Sequence, residues 1–242
     1  MKRIPTIASL GTIVAAATMV AASPSHATSS DPAAALPPLP PASSFGTGAV
    51  NPYFPVVPGT TTVFAGSIDG VAARETFSVT RGTEIVDGVA ANVIRDRLYL
   101  AREDGDGLYL AEDTTDWYAT DATGTVWYLG EDTAEYDESG TLLSTDGSWK
   151  AGVDGARAGI FMPAVPTVGA VYQQESATDA QDFFRITAIE DDTVVTREYT
   201  PLEPGLITKK VYETDIGQVL EDTVKGASIE DLILRLVSVR HS

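Results

Sequence analysis

The chain has 242 residues, 34 acidic against 16 basic, a formal net charge of −18, no cysteine and two histidines. So acidic a surface repels nucleic acid and anionic lipid, so neither is an expected partner. Without cysteine there is no thiol catalysis, thiolate metal site or disulfide; with histidine only at 26 and 241, Ser-His-Asp hydrolysis and a catalytic zinc site lack their imidazoles.

The opening "MKRIPTIASLGTIVAAATMVAASPSHATSS" reads as a secretory signal peptide over 1–27. Lys2 and Arg3 precede an apolar stretch from Ile7 to about Ala22, and "SHA" supplies the small residues of a cleavage site. The stretch is shorter than the ~20 residues a spanning helix needs, and no later segment suggests membrane insertion. The expected location is extracellular. Residues 28–50 are rich in Pro, Ala and Ser and read as a flexible spacer. A single body of ordinary domain size follows over 51–242.

That body is expected to be all-β. Short β-branched and aromatic runs ("TTVFAG", "RETFSVT", "ANVIRDRLYL", "GLYLAE", "TDWYAT", "TVWYLG", "TLLST") alternate with the turns "SIDGVA", "VDGV", "DGDG", "DATGT" and "ESGT". The same texture resumes with "AVYQQE", "DFFRITAIE", "TVVTREYT", "GLITKKVYE", "QVLEDTV" and "LILRLVSV". Within "ASIEDLILRL" a strand is preferred to a short helix. Antiparallel hairpins of this kind make a sandwich or a flattened barrel. Two related halves, 51–130 and 160–240, are suggested by echoes: Pro55 and Pro58 fall on Pro163 and Pro166, Phe64 on Tyr172, Tyr118 on Tyr212, Asp121 on Asp215, Gly124 on Gly217. Residues 131–159 have no counterpart in the second half, and an insertion that a repeat does not need is a natural place for function.

"NPYFPVVPGTT", "DWYATDATGTVWYLGEDTAEY", "GSWKAGVDGARAGIFMPAVPTVGAVYQQE" and "YTPLEPG" together resemble a family of secreted bacterial proteins of unassigned activity. The resemblance spans nearly the whole body and implies no catalytic residue. A weaker likeness is to lipocalin-like and lipoprotein-carrier-like sheets.

All three tryptophans fall between 116 and 154. Trp117 enters a strand and is expected in the core. Trp127, Tyr128 and Trp149 are the candidate aromatic platform for a glycan or a small apolar ligand, because such rings join an apolar face to a polar handle. Asp116, Glu131 and Asp132 are the nearest carboxylates. Two of them would suit glycoside cleavage, although solvated turns explain most acidic residues here. "EDGDG" (103–107) departs from a calcium-binding loop at Leu108, Tyr109 and Leu110. No cofactor is expected, with weak Ca2+ binding by acidic loops the one ion kept in view. The expectation is a binding or structural module without catalysis. The alternatives are a carboxylate- or tyrosine-based extracellular enzyme and an extracellular inhibitor or interaction protein.

Overall fold

The computed structural model describes residues 36–225 and 231–242, so the signal peptide lies outside the described residues. The body is all-β. Its strands are β1 (Thr60–Ile68), β2 (Val71–Val86), β3 (Val89–Ala101), β4 (Leu108–Thr120), β5 (Val126–Tyr136), β6 (Leu142–Ser144), β7 (Trp149–Lys150) and β8 (Arg157–Met162). There follow β9 (Val171–Gln173), β10 (Glu175–Ser176), β11 (Phe183–Glu190), β12 (Thr193–Tyr199), β13 (Ile207–Glu213), β14 (Gly217–Lys225) and β15 (Leu232–His241). The carboxyl-terminal apolar run is thus a strand.

The hairpin turns form where Asp-Gly dipeptides predict them. Asp69 and Gly70 have φ of 51° and 76°, Asp87 and Gly88 have 46° and 80°. Positive φ at both central residues is the turn whose twist matches the flanking strands.

The pairing order is β10-β8-β5-β4-β3-β2-β1-β15-β14-β13-β12-β11-β9, antiparallel throughout, in one sheet that curls into a nearly closed barrel. Two meanders therefore lie back to back, joined by β1 and β15. Phe64 and Tyr172 sit on the first strand of their meanders, Tyr118 and Tyr212 on the fourth. The ends of the sheet meet at one bent segment. Val171–Gln173 pairs with β11, and two residues later Glu175 and Ser176 pair with β8. Gln174 at the bend is buried and donates its amide to Glu198 (3.3 Å). Gly159 on β8 makes this closure possible: a Cβ there would stand 2.3 Å from the carbonyl oxygen of Gln174. Gly159→Ala is expected to cost about 1–3 kcal/mol through forced backbone movement, read from the urea midpoint against wild type. An unchanged midpoint would mean that the seam is not a structural joint.

Residues 36–50 correct the expectation of a flexible spacer. The Leu36 carbonyl accepts from Arg157 (3.2 Å), Leu39 packs on the core, Ala42–Ser44 form a 3-10 turn, and Phe45 is buried and bridges to Asp121. The chain then crosses one end of the barrel. Asn51, fully buried, donates to the carbonyls of Gly124 (2.8 Å) and Pro163 (3.1 Å) and accepts from the backbone N–H groups of Tyr53 and Phe54. Phe54 inserts among the rings of Phe77, Tyr118, Phe161 and Tyr212, at centroid separations of 4.5–6.4 Å. A Pro-, Ala- and Ser-rich segment still orders when a few anchors find a built cavity.

Two apolar clusters fill the interior. The larger includes Phe54, Ile94, Tyr118, Tyr128, Phe161 and Tyr212; the smaller, Phe64, Ile68, Leu98, Leu100 and Leu234. Residues paired across an antiparallel ladder point to the same face. Following register from Phe77↔Asp96 through Leu98↔Glu112, Asp116↔Glu131 and Lys210↔Glu221 places a belt of polar groups on the same inner face as those clusters.

Candidate functional site

β5 is buried on both faces from Val126 to Glu131. It pairs with β8 through Val126–Tyr128 and with β7 through Gly130 and Glu131. The strand changes partner at Gly130, whose φ is 141° and whose added Cβ would meet the Trp149 carbonyl at 2.4 Å. A cleft of about 500 Å³ opens at this fork, lined by Trp117, Glu131, Asp132, Ser148, Trp149, Lys150, the 153–156 loop and the 177–180 loop. That volume is within the range of small-molecule sites.

Glu131, Asp132 and Trp149 of the expected site meet here. Asp132 is exposed; Trp149 is 7 % exposed, its ring edge-on to Tyr128 at 5.3 Å. The expected open aromatic platform does not form. Trp127 is 4 % exposed and donates its indole N–H to Asp121 (2.9 Å); Tyr128 is fully buried, stacks on Tyr118 at 4.4 Å and donates to Asp116 (2.7 Å). Asp116 therefore lies inside the barrel, away from the cleft. Trp117 is buried as expected, donates to Glu84 (2.9 Å) and carries the Lys150 ammonium 3.8 Å above its ring. Lys150 also pairs with Glu84 at 2.8 Å, and that bond holds the Glu84 carboxyl below its ordinary range.

Of the belt within the barrel the sequence singled out Asp116 and Glu131, but not Glu75, Asp96, Glu112, Glu198, Lys210 or Glu221. Lys210, 3 % exposed, reaches Glu198 at 3.0 Å and Glu221 at 3.8 Å. Burial alone would lower its pKa, but these carboxylates outweigh burial and hold it well above the usual lysine range. Glu75 and Asp96 are hydrogen-bonded to each other. Burial raises Glu75 to about 7, against the opposing influence of that bond and of Lys210. Burial, then the charge of Glu75, pushes Asp96 well up. Burial also raises Asp116 to about 7, and Glu112 and Glu221 to about 8. A faint signal for this belt exists: Glu112, Thr114, Asp116 and Glu131, Thr133, Glu135 recur with the period of a strand face.

Among the described residues no three His, Cys, Asp or Glu side chains are grouped to hold a metal ion. No protein-family model, curated protein or solved structure matches the chain.

Proposed function

We propose that this is an extracellular binding module without catalysis, and that its ligand is a glycan or similar polyhydroxylated small molecule held in the cleft at the β5 fork. The observation that carries the reading is the 500 Å³ cleft, where hydroxyl-accepting groups from three separate segments, Asp132, Asp154 and Asp179, stand around a floor of buried indoles. Because the indoles are packed, the rim makes the polar contacts and the floor supplies rigidity. The enzyme reading is less favoured. The cross-strand pair Asp116 and Glu131 is the obvious two-carboxylate arrangement, yet each is 1 % exposed, so a substrate does not reach both. His241, the one histidine among the described residues, is exposed on β15 and bonds Thr60.

Native mass spectrometry of protein from the producing culture should show a co-purifying small molecule, or an adduct with short soluble oligosaccharides. Asp132→Asn combined with Asp154→Asn should weaken it at least tenfold with an unchanged melting midpoint, since both side chains are exposed. Spectra free of any adduct, or full retention by the double variant, would overturn the cleft as the site.

A further inference from the structure

A second enclosure lies inside the barrel and is distinct from the cleft. It has a volume of about 50 Å³ and is lined by Glu75, Asp96 and Lys210 and by the rings of Phe54, Phe77 and Phe161, Phe77 being the cross-strand neighbour of Asp96. At ~10–15 Å³ per water position this is room for about three to five non-hydrogen atoms. Its entrance follows from the pairing. Among the described residues β14 pairs with β15 only from Leu220↔Arg235 to Asp222↔Ile233, whereas β1 continues along β15 to His241. The start of β14 therefore splays away, and half-exposed Thr60 and Gln218 flank the slit that leads inward.

We propose that this enclosure binds a small organic ammonium ion, held by the Glu75–Asp96 carboxyl pair and the phenyl rings. Three observations carry it. Glu75 is 3 % exposed, and its Oε2 meets no N–H or hydroxyl donor of the protein, the Asp96 carboxyl being its neighbour, a costly state that an N–H donor or a cationic methyl group relieves. Phenyl rings and carboxylates that line one enclosure favour a desolvated cation over an anion. The resident cation, Lys210, is committed to Glu198 and Glu221, so the Glu75–Asp96 pair is the part of the belt with charge to offer. A neutral apolar ligand leaves Oε2 unpaired, and an anion faces two carboxyls.

Burial raises Glu75 to about 7 and pushes Asp96 well up, so an entering ammonium, which favours their charged forms, displaces protons and binds more tightly as pH rises. The groups facing the pair are Glu112 and Asp116 from β4, Lys210 from β13 and Glu221 from β14, and all of them influence the pH at which release is complete.

The probe is trimethylammonium chloride, with sodium chloride and tert-butyl alcohol as controls, titrated by calorimetry and amide NMR into the full secreted chain. Saturable binding is expected only for trimethylammonium, with heats that depend on buffer ionisation enthalpy and shifts at Phe77, Asp96 and Gln218. Glu75→Gln should weaken it tenfold or more, while Asp132→Asn in the cleft changes nothing. Should Glu75→Gln fail to fold, the three titrations of the wild type decide alone. An equal response to tert-butyl alcohol or sodium chloride, or no saturable response, overturns the site without touching the cleft reading.

Discussion

Lys210→Met is expected to cost about 3–5 kcal/mol at pH 8, the range found when one partner of a buried ion pair is removed. The variant leaves Glu198 and Glu221, 3 % and 4 % exposed, with no cation between them. Methionine replaces the volume of the aliphatic stem, so the loss reports charge rather than a void. The buried carboxylates can relieve themselves by taking up protons. The loss should therefore shrink to about half at pH 5, where protonation is cheaper. Adding Glu198→Gln and Glu221→Gln should recover a good part of the pH 8 loss, because the uncompensated charges are then gone. Urea unfolding of the three proteins at both pH values checks this. A loss under about 1 kcal/mol at pH 8 would mean that water or backbone movement reaches Lys210, and the sealed belt would be disproved.

The second large effect is on the wild type. Glu75, Asp116, Glu112 and Glu221 all titrate at about 7 to 8 in the folded barrel, chiefly because burial penalises their charged forms. In the unfolded chain they titrate near 4. Between these values the folded state holds more protons than the unfolded one, so stability falls as pH rises. The contribution is fully present below about pH 4 and is gone once the pH has passed about 8. Other carboxyls work the opposite way. Glu84 is held low by the bond from Lys150, and Asp121 by hydrogen bonds from Thr123, Trp127 and Thr125 that outweigh its burial. Their contribution is present above the ordinary carboxylate range and lost as pH falls through their lowered values. The optimum should thus lie near pH 5, with stability at pH 8.5 lower by at least about 2–3 kcal/mol, or about 5–10 °C in melting midpoint. Melts at 0.5 M salt separate this from surface repulsion, which salt screens while leaving buried groups little changed. A midpoint that is flat from pH 5 to 8.5, or that rises, would contradict the belt of protonated carboxyls.

Much of the architecture was legible in the residues. Asp-Gly pairs locate hairpins because glycine, and aspartate to a lesser degree, tolerates positive φ; the β-branched and aromatic runs between them have strand length and little helical periodicity. The acidic composition makes nucleic acid and anionic lipid unexpected partners through long-range charge, an expectation that needs no coordinates. The Tyr118 and Tyr212 echo falls near the end of the fourth strand of each meander.

What tertiary structure alone decided is which face became the inside, and what lies across the ends. Alternation assigns Glu112, Thr114 and Asp116 to one face of β4, but Asp113 and Thr115 make the opposite face polar as well. A period of two cannot say which of two polar faces closes on itself. Only the register around the whole barrel turns one of them inward and makes Lys210, Glu198 and Glu221 neighbours from three strands. Likewise Trp127 and Trp149 are not exposed, because β5 is covered on both faces at its fork, a consequence of changing partner from β8 to β7. The docking of residues 36–50 has the same origin. Phe45 and Phe54 are unremarkable in a Pro-rich segment until the open end of a barrel offers them a place. Local preference determines strands and turns, while burial is a property of closure, and closure is set by pairings far apart in the chain.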